Sequence, residues 1–376
     1  MKIIIAGAGE VGVHLARLLA DQSQDIILVD RDKARLKYAE AHTDVIVVRG
    51  DATSVSIMEE VGVKNCDLLI AATDSEATNI TIAILGKKLG ANKTIARIAN
   101  TELIHNYEKL DLKSLGIDSL ISPEKLASEE IAFLVKQSAF TDAFQFEKGK
   151  LNLIGIHLGD TAPIIDKTIR EAADLNPHLN FMAVALHRKG ETIIPKGDTK
   201  ILRGDDCYFI AQQEGINRVL NLTGNQSIPF KNVMVLGGSK IGIKTCQSLC
   251  KDYNIKLIEQ DREKAFELAD QLENVLVIHG DARDVELLEE ENIEQMGVFI
   301  AVTGNSETNI MSCLVAKAHG VRKTIALVEN MEYIHLSKTV GIDVFLNKKL
   351  IAASSIFQYV RKGNVISSTM LRGINA

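Results

Sequence analysis

The chain carries one pattern twice, 230 residues apart: Gly237 answers to Gly7, Gly280-Asp281-Ala282 to Gly50-Asp51-Ala52, and Thr324-Ile325-Ala326 to Thr94-Ile95-Ala96. The ten residues from Ala71 to Ile80 return in recognisable form as Ala301 to Ile310. Self-similarity of this extent marks a duplicated domain. A length of 376 residues agrees, since it accommodates two or three domains.

The first copy opens on Ile3-Ile4-Ile5-Ala6-Gly7-Ala8-Gly9-Glu10-Val11-Gly12. An apolar run too short for a buried helix enters three spaced glycines, after which Val11, Leu15, Leu18 and Leu19 recur at helical spacing. The order is strand, tight turn, helix. Such a turn aims the free N–H groups of a helix N-terminus beyond the strand end, where they suit a phosphate or pyrophosphate. Gly7 permits the turn, Gly9 leaves room for the ligand, and Gly12 lets the helix close on the sheet. The next strand ends in Asp30, where a carboxylate can accept hydrogen bonds from a ribose. An acid there disfavours a 2′-phosphate, and hence NADP, but does not separate NAD from ATP or ADP.

Strands are expected at 2–6, 26–30, 45–49, 67–72 and 94–98, with helices starting near Glu10, Asp32, Thr53, Asp74 and Thr101. This alternation gives an α/β fold with a doubly wound parallel sheet of Rossmann type. Ligands of such sheets lie beyond the carboxyl ends of the strands. Asp30, Asp51 with Ala52, Thr73 with Asp74, and Arg97 all fall at strand ends and should ring one crevice. Asp51 has a second reading, as the cap of the helix that follows.

Ser122-Pro123-Glu124 opens a long helix through Ile131 and Val135, with proline in its first turn. It has more apolar residues than one small domain needs, so a partner surface is expected. From about 140 to 225 the texture changes to short strands at 151–157, 181–187 and 206–211, with Arg188-Lys189-Gly190-Glu191 as a hairpin turn. The expected division is a nucleotide-binding domain over 1–138, a small α+β lobe over 139–225, a linker at Thr223 to Ser227, and a second nucleotide-binding domain over 230–376.

The two copies differ where the ligand would lie. Ser239 replaces Gly9, Gly304 replaces Asp74 and Leu327 replaces Arg97. Gly237, Lys240, Ile241, Asp281, Ala282 and Thr303 keep the outline of a pocket, and Glu259 supplies the ribose acid. The second pocket is expected to bind a nucleotide less tightly, or one of another kind.

A net charge of −6 argues against a nucleic-acid binder. No apolar run approaches the ~18 residues that span a bilayer. The five cysteines are odd in number and lack Cys-x-x-Cys spacing, which suits a reduced, cytoplasmic protein. Cys246 and Cys250 lie one helical turn apart, but no third ligand completes a metal site, so both read as packing residues. His105 and its counterpart His335 read as structural.

The order of sheet domain, small lobe and sheet domain, with Gly7 to Gly12, Gly50-Asp51-Ala52-Thr53 and Ala71-Ala72-Thr73-Asp74, resembles the regulator-of-potassium-conductance (RCK/KTN) family. Within it the likeness is to the TrkA-type cytoplasmic regulatory subunits of Trk-type potassium uptake systems. The resemblance implies a nucleotide sensor that binds NAD or NADH, and in several cases ATP or ADP. It also implies a homo-oligomeric ring, dimer or tetramer, on the inner face of the membrane against a potassium channel subunit. Carried onto this chain, Gly7, Ala8, Gly9, Glu10 and Val11 would cradle phosphate and Asp30 would hold the ribose. Asp51 and Ala52 would border the adenine, with Thr73, Asp74 and Arg97 closing the far side. Family members of this type carry two small lobes; nothing resembling residues 151–222 follows Ala376, so a second lobe is expected to be absent.

Two functional classes stand at this point. An NAD-dependent oxidoreductase would need an acid or base near the nicotinamide, and the small lobe offers His157, His178 and His187 without a companion pattern. A gating subunit needs only that ligand binding favour one arrangement of an assembly. Duplication of the nucleotide domain without a catalytic partner favours the gating subunit.

Overall fold

The computed structural model describes residues 1–20, 25–100, 102–136, 142–146, 150–159, 162–175, 180–224, 230–281, 283–329, 333 and 340–361. The first 121 residues build a six-stranded parallel sheet from β1 (Lys2–Ala6), β2 (Asp25–Asp30), β3 (Ile46–Arg49), β4 (Leu68–Ala71), β5 (Lys93–Arg97) and β6 (Ser119–Ile121). Its helices are α1 (Glu10–Ala20), α2 (Lys33–His42), α3 (Val55–Glu60), α4 (Glu76–Lys88) and the short α5 (Glu102–His105). The strand order β3-β2-β1-β4-β5-β6 reverses direction between β1 and β4, and that switch point is where a crevice opens on such a sheet.

Strand β1 reads as an unbroken apolar run because both of its faces are covered. Ile3 and Ile5 pack with Leu15 and Leu19 of α1, while Ile4 packs on the other side with Met58, Val61 and Ile82. The five expected strands are all present within one or two residues of their expected ends. Strand β6 is additional: three residues paired on one side only, to β5, carry no period for a sequence reading to detect.

After α6 (Pro123–Lys136) comes an antiparallel sheet of order β10-β9-β11-β8-β7. Its strands are β7 (Asp142–Phe146), β8 (Leu151–His157), β9 (Phe181–Arg188), β10 (Glu191–Ile193) and β11 (Asp206–Gln212), with helices α7 (Ile169–Asp174) and α8 (Ile216–Leu222). Lys189 and Gly190 take φ of 50° and 88°, as a tight two-residue hairpin requires. Strands β7 and β10 were not anticipated. Arg188 anchors the lobe by pairing with the fully buried Asp205 at 2.7 Å.

The duplicated domain has β12 (Asn232–Leu236), β13 (Asn254–Glu259), β14 (Val275–His279), β15 (Val298–Ala301), β16 (Lys323–Leu327) and β17 (Val344–Leu346), in the order β14-β13-β12-β15-β16-β17. Its helices are α9 (Lys240–Leu249), α10 (Arg262–Gln271), α11 (Val285–Glu290) and α12 (Ser306–Ala318), and α13 (Lys348–Arg361) follows β17. None of the described helices is long and apolar enough to cross a membrane.

The described residues form two compact units, 1–127 with 348–361, and 128–347. Helix α13 therefore belongs to the first unit, where Ala353 and Ile356 are buried with Leu15 and Leu19 of α1 and Ile121 of β6. Most of α6 belongs to the second, where Lys323 Nζ donates to the Leu134 carbonyl at 2.9 Å and Lys136 pairs with Asp252 at 3.0 Å. The surplus apolar residues of the helix after Pro123 thus pack beyond the sheet that precedes them. Thr101, His178, Ala282, His335 and residues 225–227 of the expected linker lie outside the described residues.

Candidate nucleotide-binding site

The glycine turn at the end of β1 is closed by its own backbone. Gly7 has φ +110° and its N–H donates to the Val29 carbonyl at 2.8 Å; a Cβ there would sit 2.8 Å from the Thr73 nitrogen. A Cβ on Gly12 would overlap the Gly7 carbonyl oxygen. Gly9 differs, since its Cβ would meet nothing nearer than Arg35 at 3.7 Å and Asp74 at 3.9 Å. The chain needs glycine at 7 and 12 for itself, whereas at 9 the missing side chain leaves space for something else. That space lies at the N-terminus of α1, a kind of place that suits an anion.

Asp30 ties this turn to the second strand. One oxygen accepts from Ala8 N at 2.6 Å and the other from Asp32 N at 2.8 Å, which fixes the carboxylate at the strand end with lone pairs to spare. Asp51 accepts from Thr53 N at 2.9 Å and Thr53 Oγ1 at 2.7 Å, an Asx turn. The Arg31 guanidinium, 2.6 Å away, chiefly pulls the Asp51 carboxyl down to about 2. The N-cap position of α3 is Ser54, whose side chain makes no capping bond, so Asp51 lies outside the cap position.

A cleft of about 220 Å³ lies between these strand ends, lined by Gly7, Asp30, Asp51, Ala52, Thr73 and Asp74 among others. Ala8 and Gly9 lead from Gly7 of its lining into α1, which Glu10 opens and in which Val11 is buried. Arg97 ends β5 away from the lining, and its carbonyl accepts from Asn79 Nδ2 at 2.9 Å. Glu10 was expected in the phosphate cradle, but its carboxylate pairs with Lys349 of α13.

Three contributors were not singled out in the sequence. Arg35 of α2 also lines the cleft and reaches Asp74 at 3.0 Å; hydrogen bonding to that carboxylate raises its pKa. Arg31 orients Asp51. Asn79, buried in α4, accepts from Thr73 N and Oγ1 at 2.8 and 2.6 Å and donates to the Thr73 and Arg97 carbonyls, pinning the ends of β4 and β5 together. The signal for Asn79 was its recurrence as Asn309, which makes the same bonds to Thr303 and to the Leu327 carbonyl.

The second domain keeps the frame and alters the charges. Gly237 has φ +99°. Glu259, buried, accepts from Gly238 N at 2.9 Å and Asp261 N at 3.0 Å, as Asp30 does from its own turn. Lys264 adds an ion pair at 2.9 Å. Burial pushes the Glu259 carboxyl up, but the hydrogen bonds from Asp261, Lys264 and Gly238 outweigh it and hold it below the usual range. Asp281 is held by Arg283, with Gln260 donating at 3.1 Å. The Ser239 hydroxyl turns inward, donating to the Val302 carbonyl at 2.7 Å and capping Gly242 N at 3.2 Å. Lys240 and Ile241 begin α9, the latter buried. Ala282 lies outside the described residues. Cys246 is buried and its thiol is pushed up to about 12, as suits a packing residue.

The fold and the strand-end cleft of the first domain define a chain of two Rossmann-type domains around a small antiparallel lobe. The TrkA-N domain model matches residues 3–123 and 233–348, and the TrkA-C domain model matches 153–224. The chain belongs to the TrkA family. It is 33% identical over 375 residues to the Trk system potassium uptake protein TrkA of Vibrio alginolyticus, covering 99% of this chain and 82% of that one. It is 31% identical to the Trk system potassium uptake protein TrkA homolog of Archaeoglobus fulgidus, with 99% and 84% coverage. In fold it is similar to the GsuK channel bound to NAD, with a TM-score of 0.70 at 17% identity over 96% of this chain and 64% of that one. The human SLO3 gating ring is similar at a TM-score of 0.56 and 14% identity, over 96% of this chain and 84% of that one. The relatives at 31–33% identity are potassium uptake proteins by name.

Proposed function

We propose that this chain is a cytoplasmic regulatory subunit that sits on the inner face of the membrane and gates a Trk-type potassium channel in response to NAD(H), ATP or ADP. The observation that carries the reading is the first cleft, where an open glycine at a helix N-terminus, a strand-end carboxylate and an arginine converge at the switch point of the sheet. The N–H groups from Gly9 to Val11 and Arg35 would take phosphate, beside Ala8, whose N–H is held by Asp30, and Asp30 would take the ribose. Asp51 and Ala52 would border the adenine, with Thr73, Asp74 and Arg97 at the far side. Glu10 contributes its backbone. Gly237, Ser239, Lys240, Ile241, Glu259, Asp281, Ala282 and Thr303 form the second site, which binds more weakly or takes another nucleotide. Fold relatives described as bound to NAD and to ADP support nucleotides of this class.

The working divisions are 1–138, 139–225 and 230–376. Two nucleotide domains per chain become four in a dimer, enough for a ring. Each tenfold preference of a ligand for one ring shape supplies about 1.4 kcal/mol, so several weakly selective sites acting together can move a gate.

The test has two parts. Calorimetry of the chain with NAD, NADH, ATP and ADP should give about one tight site per chain, weakened by about 1–3 kcal/mol in Asp30→Ala. Reconstitution with a Trk-type channel should give potassium flux that depends on at least one of these nucleotides. Flux indifferent to all four overturns the gating reading, and unchanged affinity in Asp30→Ala removes Asp30 from the site.

A further inference from the structure

Helices α6 and α13 are the same element in the two copies. Each follows a three-residue edge strand, and each strand is preceded by an aspartate fastened to the neighbouring strand. Asp118 accepts from Thr94 N at 2.8 Å and from Lys87; Asp343 accepts from Thr324 N at 2.7 Å and from Lys317. In this register the second residue of α6 is Glu124 and the second of α13 is Lys349. Tyr359 and Leu134 also correspond: in the first unit Lys93 lies 5.7 Å from the Tyr359 ring, and in the second Lys323 bonds the Leu134 carbonyl. The sheets therefore receive helices of one kind, which differ in charge at several places and reverse its sign at one, Glu124 against Lys349.

Lys349 is buried, with its ammonium carried to the Glu10 carboxylate at the first position of α1. The residue in Glu10's place in the second domain is Lys240. Both members of the pair are thus charge-reversed between the copies. We propose that Glu10 is a selector that admits α13 to the first domain and rejects α6. Exchanging the two helices would set Glu124 against Glu10, and Lys349 against Lys240, like charge against like. Apolar burial cannot make this choice, because it is non-directional and both helices offer an apolar face. A charge pair can, since an arrangement that opposes like charges is disfavoured whatever its packing.

The experiment compares Glu10→Lys, Lys349→Glu and the double variant Glu10→Lys/Lys349→Glu in the full chain, by hydrogen exchange of peptides covering 348–361. Peptides from β1 and β4 report whether the sheet itself remains folded. Each single charge reversal should raise exchange across α13 several-fold with the sheet unchanged, and the double variant should return it to the wild-type level. Glu10→Gln, which removes attraction without adding repulsion, should give a smaller rise. Two results overturn the proposal: single variants that leave α13 as protected as before, or a double variant no better protected than the worse single.

Discussion

The two sheet domains share one backbone plan and handle its charges in opposite ways. In the first, Arg35 reaches from α2 to Asp74 at the end of β4, leaving Asp30 to the backbone N–H groups of Ala8 and Asp32. In the second, Gly304 stands where Asp74 was, and Lys264, which corresponds to Arg35, turns instead to Glu259 at 2.9 Å. Where the carboxylate at the mouth is missing, the corresponding cation pairs with the acid at the end of the second strand. The glycine turns diverge likewise. Gly9 cannot cap its helix, whereas Ser239 uses the Gly242 N–H for its own hydroxyl. On the proposed reading, such a domain would become a poorer anion site by satisfying its own donors and acceptors, without any change of fold.

The largest effect should come from the glycines that both copies require. Gly12→Ala would drive a methyl into the Gly7 carbonyl, so about 1–3 kcal/mol of stability or more should be lost, together with nucleotide binding at the first site. Gly9→Ala meets only ordinary contacts and should leave the melting temperature near wild type. Equal melting temperatures for Gly12→Ala and Gly9→Ala would show that the turn tolerates what its geometry forbids.

Next comes the acid sensitivity that His14 gives to the first domain. His14, buried in α1, has its pKa lowered to about 4 by burial first and by Arg17 second, and the equivalent position in α9 is Lys244. The unfolded chain binds a proton at ~6.5 and the folded one near 4, so stability rises with pH between these values. Stability should fall by up to about 1.4 kcal/mol for each unit of pH on going down from 6.5 to 4. Denaturant titrations of wild type and His14→Gln across that range check it; parallel pH curves would place the sensitivity elsewhere.

The smallest effect is the most informative about the comparison. Gly9→Ser should weaken the first site and Ser239→Gly strengthen the second, each by about 1 kcal/mol, the scale of one hydrogen bond gained or lost. The capping cost of the second change is only a few tenths of a kcal/mol. Calorimetry that finds both sites indifferent would shift the difference between domains onto Arg35 and Lys264.

Much of this was legible in residue order. Glycine spacing, apolar runs and strand-end acids are local signals, and Gly7, Asp30, Asp51, Thr73 and Asp74 do meet at one cleft. Arg35 was not legible, because nothing in α2 announces which strand end a long side chain will reach. Glu10 looked like part of the cradle from its place beside Gly9; its partner, Lys349, is over three hundred residues away. Strand β6 was too short to show a period.

By itself the sequence determined the duplicated strand-turn-helix units, the parallel sheets they must form and the acids at their strand ends, because φ freedom, periodicity and capping act between near neighbours. Only the tertiary structure decided that α13 completes the first unit while most of α6 joins the second, and that Arg35 and Lys264 take different carboxylates. An apolar helix face is satisfied by any complementary surface, and a cation by any carboxylate within reach. The choice among them is made where the chain folds back on itself.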